Sequence, residues 1–180
     1  MPTVIGASLP IRVPAGSDPL TTGMEGTTII ARDAIARDGG QKMKTLYEAK
    51  ATATGGRNGH VRTSDGILDM DLSIPKGLGG PGAPLPNPEQ LFAAGYAACF
   101  DSALAYVAAQ RKVKLNGSTV NAAVSIGPRE GGGFALAVRL EIRLPEIPRE
   151  QAQELVNAAH AACPYSNAVR NNIPVDVQLA

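Results

Sequence analysis

The sequence predicts an α+β fold, because strand-like segments come in blocks and two helical segments lie between them. Three observations support this prediction. Apolar and polar residues alternate before position 75, a long alanine-rich apolar stretch follows Asn87, and two further alternating segments follow Gly117. The expected architecture is a set of antiparallel sheets around a long central helix.

The first strands are predicted between residues 45 and 74. Thr45–Thr54 has strand character and ends at a Gly-Gly pair, and the turn-forming residues Arg57–His60 lead into a second strand. Arg57 is therefore expected on a loop between strands. A second turn, Ser64–Gly66, precedes Ile67–Ile74, whose alternate apolar residues share one face. Together these segments predict an antiparallel meander.

The central helix is predicted to follow an irregular segment. Residues 75–88 contain five prolines and four glycines, which favour an extended loop, and such loops often cover functional sites. Asn87 suits the N-cap, Pro88 the first helical position and Glu89 the first turn. The helix is expected to run to about Arg111, and its apolar character on nearly all sides is typical of a buried helix.

The second half of the chain predicts a hairpin, a helix and a closing strand. Thr119–Ile126 and Phe134–Leu144 alternate in polarity on either side of a glycine-rich turn. A second helix is expected from Pro148 toward Cys163, and alternate apolar residues favour a last strand over Val175–Leu179.

Residues 1–42 differ from the remainder, because they mix proline, glycine, threonine and isolated charges with only one helix-like stretch, Thr27–Arg37. They lack the basic start and apolar core of a secretory signal, and four acidic residues argue against an organelle presequence. We interpret 1–42 as a poorly ordered extension or an over-called translation start, and 43–180 as the folded domain.

Composition excludes several classes of partner. The chain has 17 basic and 16 acidic residues, with no basic cluster interleaved with aromatic residues, so no nucleic-acid partner is expected. No uninterrupted apolar run approaches the roughly 18 residues of a membrane span, so no membrane association is expected. Without a secretory signal, the expected compartment is the cytoplasm, where disulfides are usually transient and catalytic.

Two cysteines are the candidate reactive groups. Cys99 ends the small-residue apolar stretch Phe92–Cys99, and Cys163 immediately precedes a proline. Two cysteines do not form a disulfide-stabilised scaffold. Such a pair suits a reaction in which one sulfur is oxidised and the other condenses with it. That pattern indicates peroxidase chemistry.

Four linked motifs carry a resemblance to a known family. Asn-Pro-Glu-Gln begins at Asn87 and leads to Cys99. Cys-Pro-Tyr-Ser-Asn begins at Cys163, 64 residues after Cys99. Thr-Ala-Thr-Gly-Gly-Arg ends at Arg57, and Leu-Gly-Gly-Pro begins at Leu78. Taken in their order along the chain, over roughly residues 43–180, the four motifs resemble those of the organic hydroperoxide resistance (Ohr) branch of the Ohr/OsmC superfamily.

Two positions depart from the family pattern. Pro86 stands where threonine is expected, and Asn171 stands where the family usually has glycine. Asparagine tolerates a left-handed backbone, so the second change should be benign.

The resemblance implies an OsmC-like fold, an intertwined homodimer and active sites at the subunit interface. It also implies organic, often fatty, hydroperoxides as substrates, a lipoyl-type dithiol as reductant, and a role in the response to oxidative stress. No cofactor is expected. No metal is expected either, because His60 and His160 lack zinc-like spacing. A set of apolar residues is equally suited to a substrate pocket or to the core: Leu78, Leu85, Phe92, Tyr96 and Phe100.

Peroxide reduction requires a thiolate, and an ordinary cysteine pKa of about 8.5 leaves little of it at neutral pH. Cys99 lies about three turns into its helix, beyond the useful reach of the helix dipole, so a nearby cation is required. We assign Arg57, as the resemblance also implies, and Glu89 matches the family's partner for that arginine. Cys99 would become a sulfenic acid, and Cys163 would condense with it to form a disulfide.

The position of Glu89 raises a geometric question. A continuous helix would separate Glu89 from Cys99 by about 15 Å along its axis and turn them about 80° apart. Arg57 could bridge the gap, the helix could begin late, or the two residues could come from different subunits. We favour a site assembled across the dimer interface.

Two other classes of function remain open. The chain could be a thiol-based redox sensor, or a ligand-binding relative without efficient turnover. It could also be a hydrolytic cysteine enzyme, which would need His60 or His160 as a base beside Cys99.

Overall fold

The computed structural model describes residues 44–180. The extension 1–42 and the helix predicted within it lie outside the described residues. Within 44–180 the chain forms six strands and three α-helices, with two short 3-10 turns. The predicted α+β class is confirmed.

The first sheet is a three-stranded antiparallel meander, as predicted. Its strands are β1 (Ala51–Thr54), β2 (His60–Thr63) and β3 (Asp69–Asp71), in that order across the sheet. β1 and β3 are shorter than the predicted segments Thr45–Thr54 and Ile67–Ile74. β1 ends because Gly55 and the glycine after it adopt positive φ angles of 70° and 60°, a conformation that glycine adopts without steric cost.

A 3-10 turn, Gly56–Asn58, joins β1 to β2 and carries Arg57. It is tied to the chain that leaves β3, because the Asn58 side chain accepts a hydrogen bond from the backbone N–H of Ile74 at 2.8 Å. The proline-rich segment that follows is largely irregular, as predicted, but contains a second 3-10 turn at Lys76–Leu78. The hydrogen bond between Asn58 and Ile74 therefore helps to hold the turn that presents Arg57.

The central helix, α1, spans Pro88–Gln110. Its start is set by a reciprocal cap: Asn87 Oδ1 accepts from the Gln90 N–H at 3.0 Å, and Gln90 Oε1 accepts from the Asn87 N–H at 3.0 Å. The predicted beginning and end are both confirmed. By length and composition α1 is also apolar enough to cross a membrane, a test that the core helix of a globular protein passes equally. Its uninterrupted apolar run ends at Asp101.

The second sheet contains β4 (Thr119–Pro128), β5 (Phe134–Arg143) and β6 (Val175–Leu179). β4 and β5 form the predicted antiparallel hairpin, and β6 pairs with β5 in parallel. A parallel neighbour requires a crossover connection. That connection is α2 (Arg149–Ala162) followed by the short helix α3 (Pro164–Val169). The sequence predicted α2 and β6 but missed α3.

The backbone after α3 contains the second departure from the family pattern. Asn171 has a φ of 61°, which is the left-handed conformation expected where the family usually has glycine. The expectation that asparagine can serve there is therefore consistent with the structure.

The main core lies between α1, α2 and the second sheet. Its fully buried large side chains include Tyr96, Phe100, Leu104, Leu140 and Leu155. No side chain from 44–86 belongs to this core cluster. The first sheet therefore gains little from the core of its own chain, although a small sheet needs an apolar face against another element to be stable.

The turn that carries Arg57 gives the first testable prediction. A Cβ added at Gly59 would overlap the backbone carbonyl of Thr54, so the turn must shift in Gly59→Ala. We expect this change to lower the free energy of unfolding by about 1–3 kcal/mol. A Cβ at Gly127 would meet no atom within 4 Å, so Gly127→Ala is the matched control. Urea denaturation of both variants tests the expectation, and equal stability would contradict it.

Candidate active site

The two cysteine side chains lie next to each other. Cys99 is in the middle of α1, and Cys163 lies between α2 and α3, with its Sγ atom 3.6 Å from that of Cys99. Both are free thiols, and Cys163 is fully buried while Cys99 is partly exposed. The pair predicted from motifs 64 residues apart is therefore brought together. A reagent from solvent can reach Cys99 more easily than Cys163.

The surroundings of Cys99 favour its protonated form. Burial raises the pKa of Cys99, and the hydrogen bond and charge of Cys163 raise it further. The backbone of Tyr165 acts in the opposite direction and lowers the pKa of Cys99. Arg57 is not among the groups of the described chain that shift this pKa. The cation expected beside Cys99 is therefore not supplied by the same chain in this conformation.

The segment that carries Cys163 is held by a buried polar network. Ser166 Oγ lies 2.9 Å from the Tyr96 hydroxyl and 3.0 Å from His160 Nδ1, which joins α3 to both longer helices. Burial raises the pKa of Tyr96 and lowers that of His160, so both groups are held neutral at pH 7. Sequence reasoning missed this network, because its three residues are far apart in the chain.

Tyr165 packs over α1 beside the cysteines. Its ring stacks on Phe92 at a centroid distance of 6.0 Å and lies 5.8 Å from the ring of Tyr96. It also covers Gly95, where an added Cβ would come within 3.2 Å of the tyrosine hydroxyl. Glycine within a helix costs about 1 kcal/mol of stability relative to alanine, so a glycine there usually has a packing reason. Gly95 in the sequence of α1 is therefore a signal that another group packs closely against the helix.

Arg57 and Glu89 form a two-pronged ion pair. The two terminal guanidinium nitrogens of Arg57 each donate to a different carboxylate oxygen of Glu89, both at 2.7 Å. The turn after β1 positions the arginine, and the capped first turn of α1 positions the glutamate. The hydrogen bonds from Arg57 hold the pKa of Glu89 below its usual range. The predicted pairing of these residues is thus present within a single chain.

The structure separates this ion pair from the thiols. Because α1 begins at Pro88, Glu89 lies in its first turn, and the explanation based on a late helix start is wrong. The helix rise places the Glu89 and Cys99 backbones about 15 Å apart along the axis. The candidate residues therefore form two clusters in the chain, one with Arg57 and Glu89 and the other with the cysteines.

Two clefts flank the ion pair. One, of about 350 Å³, is lined by Glu89 and by apolar side chains that include Val124. The other, of about 470 Å³, is lined by Arg57, Leu78 and Phe134, among others. Of the residues considered for a pocket, Tyr96 and Phe100 are core residues, whereas Leu78 lines a cleft beside Arg57.

The histidines are engaged away from Cys99. His60 Nε2 contacts Asp69 and its Nδ1 contacts Asp71, both at 2.8 Å, which raises the pKa of His60. His160 bonds Ser166. Within 44–180 no hydrogen bond joins either histidine to a cysteine. In the same range no three His, Cys, Asp or Glu side chains are placed to share a metal ion.

Comparison with known proteins decides the family. A family model described as OsmC-like protein matches residues 79–178. An organic hydroperoxide resistance protein of Xanthomonas axonopodis pv. citri is 53% identical over 138 residues, which are 76% of this chain and 96% of that protein. The chain belongs to the organic hydroperoxide resistance branch of the OsmC-like family. OhrB of Bacillus subtilis is 48% identical over 137 residues, covering 74% of this chain and 98% of OhrB.

Solved structures support the same assignment and the fold. The crystal structure of an organic hydroperoxide resistance protein from Elizabethkingia anophelis matches with a TM-score of 0.74 and 53% identity, covering 77% of this chain and 99% of that one. The Bacillus subtilis OhrB structure matches with a TM-score of 0.71 and 47% identity, covering 76% and 100%. The OsmC-like fold expected from the motifs is therefore confirmed.

The ion pair gives the second prediction. The lowered pKa of Glu89 in the folded state means that its contribution to stability is complete above the unfolded-state pKa of about 4.3. That contribution is lost as the pH falls through the folded-state pKa. Glu89→Gln should therefore be less stable than the unchanged protein by about 1 kcal/mol at pH 7, and this difference should shrink below about pH 4.

Urea denaturation between pH 3 and pH 7 measures this difference. Glu130→Gln, at an exposed position in the β4–β5 turn, is the control for removal of a carboxylate. A difference between Glu89→Gln and the unchanged protein that stays constant down to pH 3 would show that the ion pair contributes nothing.

Proposed function

We propose that this protein is a thiol-dependent peroxidase that reduces organic hydroperoxides to alcohols. The observation that carries the proposal is the cysteine pair: a partly exposed Cys99 lies 3.6 Å from a buried Cys163 in a chain of the organic hydroperoxide resistance family. The more accessible sulfur is suited to meet the peroxide. The buried sulfur is suited to react only with its neighbour.

The first chemical step is the attack of the Cys99 thiolate on the terminal oxygen of the hydroperoxide. An S–O bond forms, the O–O bond breaks, and its electron pair leaves on the alkoxide, which takes up a proton to become the alcohol. Cys99 becomes a sulfenic acid, oxidised by two electrons. The Cys163 sulfur then attacks the Cys99 sulfur, forming the disulfide, and the sulfenic hydroxyl leaves with the thiol proton as water.

The geometry favours rapid disulfide formation. A disulfide needs sulfur atoms about 2.05 Å apart, so the pair must close by about 1.5 Å from its present 3.6 Å. A small rotation of the side chains can supply this movement. We therefore assign Cys163 as the resolving thiol, which removes the sulfenic acid before it is oxidised further.

An external dithiol must then return two electrons and two protons to the pair. Cys99 is the sulfur that the dithiol can reach, because Cys163 is fully buried. A lipoyl-type dithiol in the cytoplasm is our proposal for this reductant, on the strength of the family resemblance.

We assign Arg57 as the cation that stabilises the Cys99 thiolate and the departing alkoxide, and Glu89 as the residue that orients the guanidinium. Because these two lie apart from the thiols of their own chain, we place them in the site of a partner subunit in a homodimer. The first sheet supports this arrangement, since none of its side chains belongs to the core cluster of its own chain. Exposed apolar side chains that include Ile67 and Phe134 also suit burial against a partner.

The organic group of the substrate is assigned to the clefts beside Arg57 and Glu89. Their walls include Leu78, Val124 and Phe134, which favour a hydrocarbon group over hydrogen peroxide. The peroxidase domain is assigned to residues 43–180, since about three quarters of this chain covers nearly the whole length of the Xanthomonas relative.

The third prediction separates the roles of the two cysteines. Cys99→Ser should abolish turnover of an alkyl hydroperoxide with excess dithiol. Cys163→Ser should consume about one equivalent rapidly and then accumulate sulfenic and higher acids at Cys99, because the resolving thiol is missing. Mass spectrometry after stoichiometric peroxide measures the products, and identical behaviour of the two variants would contradict the assignment.

The unchanged protein distinguishes the enzyme from the sensor in the same assay. A sensor would stop near one equivalent of hydroperoxide even with excess dithiol, whereas an enzyme continues. Hydrolytic cysteine chemistry would require His60 or His160 as the base, so full turnover by the variant with both changed to alanine would exclude it.

The fourth prediction tests assembly of the site across two subunits. Arg57→Ala and Cys99→Ser homodimers should each lose most peroxidase activity. A heterodimer of the two contains one complete site, with Cys99 from one chain and Arg57 from the other. Mixing and refolding them should therefore restore up to about half the activity per heterodimer.

The matched control combines Cys99→Ser with Cys163→Ser. Both cysteines of a pair come from one chain, so this heterodimer should show no rescue. Heterodimers are confirmed by native mass spectrometry with differently tagged subunits. Absence of rescue in the first mixture, or a chain that stays monomeric, would overturn the interface arrangement.

A further inference from the structure

A buried chain of hydrogen bonds joins the two helices that carry the cysteines. Ser166 Oγ lies 2.9 Å from the Tyr96 hydroxyl on α1 and 3.0 Å from His160 Nδ1 on α2. Tyr96 lies three residues before Cys99, and His160 lies three residues before Cys163, the C-cap of α2. Residues three apart are neighbours on a helix surface. The bridge through Ser166 and the sulfur pair therefore connect the same two helices about one turn apart.

The backbone of Cys163 is bonded to the helix on each side. Its N–H donates to the Ala159 carbonyl in α2 at 2.8 Å, and its carbonyl accepts from the Asn167 N–H in α3 at 3.0 Å. The Asn167 side chain also closes the corner between these helices, because its Nδ2 donates to the Ala161 carbonyl at 3.2 Å. The position of the Cys163 backbone is therefore coupled to that of α3, which Ser166 bonds to α1.

The bridge resists disruption because it is buried. Tyr96 is 0% exposed and Ser166 is 1% exposed, so water has no ready access to replace either partner. A buried polar group that loses its partner costs the full desolvation penalty of that group. Moving α3 away from α1 would leave the Tyr96 hydroxyl unpaired, and the same movement would carry Cys163 away from Cys99.

We propose that Ser166 is a positioning residue for the resolving thiol: its hydroxyl, bonded to Tyr96 and His160, holds the Cys163 sulfur within reach of the Cys99 sulfur. The pair then needs only side-chain rotation to form the disulfide. The two helices keep their relative position while the sulfurs close from 3.6 Å to bonding distance.

The consequence for catalysis rests on the proposed peroxidase function. The sulfenic acid at Cys99 has two competing fates. Attack by the Cys163 sulfur forms the disulfide and releases water. Attack of the sulfenic sulfur on a second hydroperoxide forms another S–O bond, breaks the O–O bond, and gives a sulfinic acid and the alcohol. A positioned Cys163 favours the first fate, because an oriented group in the same molecule acts at a high effective concentration.

The positioning itself can be measured without peroxide. Equilibration of the Cys99–Cys163 dithiol with glutathione buffers of known redox ratio gives the effective concentration of the two thiols. Ser166→Ala should lower this effective concentration by about 3- to 10-fold, the order expected from loss of a buried hydrogen bond. Tyr96→Phe keeps the ring and removes only the hydroxyl, so it should lower the value by no more than Ser166→Ala does.

The double variant Tyr96→Phe/Ser166→Ala makes the test specific. Ser166→Ala already breaks the bond to Tyr96, so the double variant should match Ser166→Ala rather than show the sum of both changes. Ile142→Val removes one methyl group from a fully buried residue of β5 and is the control for lost stability. It should lower Tm and leave the effective concentration unchanged. Thermal unfolding checks each variant, and Tyr96→Phe carries the test alone if Ser166→Ala does not fold.

Excess alkyl hydroperoxide then tests the consequence for catalysis. The fraction of Cys99 recovered as sulfinic acid, measured by mass spectrometry, should rise several-fold in Ser166→Ala. An unchanged effective concentration, additive effects in the double variant, or an equal loss in Ile142→Val would each overturn the positioning role. If the effective concentration falls as expected but the unchanged protein consumes no hydroperoxide, the positioning role stands and the peroxidase function fails.

Discussion

The packing of the Cys163 segment against one face of α1 is the contact on which the site depends. A slip of α1 by one residue would turn its side chains by about 100° and carry Cys99 away from its partner. Two features prevent the slip. The reciprocal Asn87–Gln90 cap fixes where the helix begins, and the burial of Tyr96 and Phe100 fixes which face meets the core. Core packing therefore also sets the geometry of the reactive pair.

The same helix keeps the ion pair away from the thiols of its own chain. Glu89 is set in the first turn by the cap, and Cys99 is set almost three turns later by the core. Neither position can shift without disrupting the helix. Arg57 is held on Glu89 by two short hydrogen bonds, so it has little freedom to reach along α1. In the proposed homodimer a second subunit would therefore supply the cation. The first sheet, which contributes no side chain to the core cluster of its own chain, would supply the surface that joins the two subunits.

Local sequence signals predicted the parts of the fold that depend on neighbouring residues. Asn87, Pro88 and Glu89 located the start of α1, and alternation located β4 and β5. α3 was missed because a six-residue helix has too few residues to show a period, and the parallel pairing of β6 depends on a crossover that no local pattern encodes. Family motifs identified the candidate site residues. The Tyr96–Ser166–His160 network and the contact between Tyr165 and Gly95 depend on packing between distant segments, and Gly95 alone left a visible signal.

The electrostatics of Cys99 explain why several groups must cooperate. Burial raises the pKa of Cys99, as does the neighbouring thiol that later resolves it, so the proximity needed for disulfide formation opposes the thiolate needed for attack. The backbone of Tyr165 offsets part of this cost within the chain, but one neutral group is weaker than a full positive charge at contact distance. In the proposed dimer, Arg57 of the partner subunit would supply the remainder together with a stabilising charge for the departing alkoxide. An isolated chain would then hold Cys99 mainly as a thiol, and reactivity toward peroxide would depend on assembly.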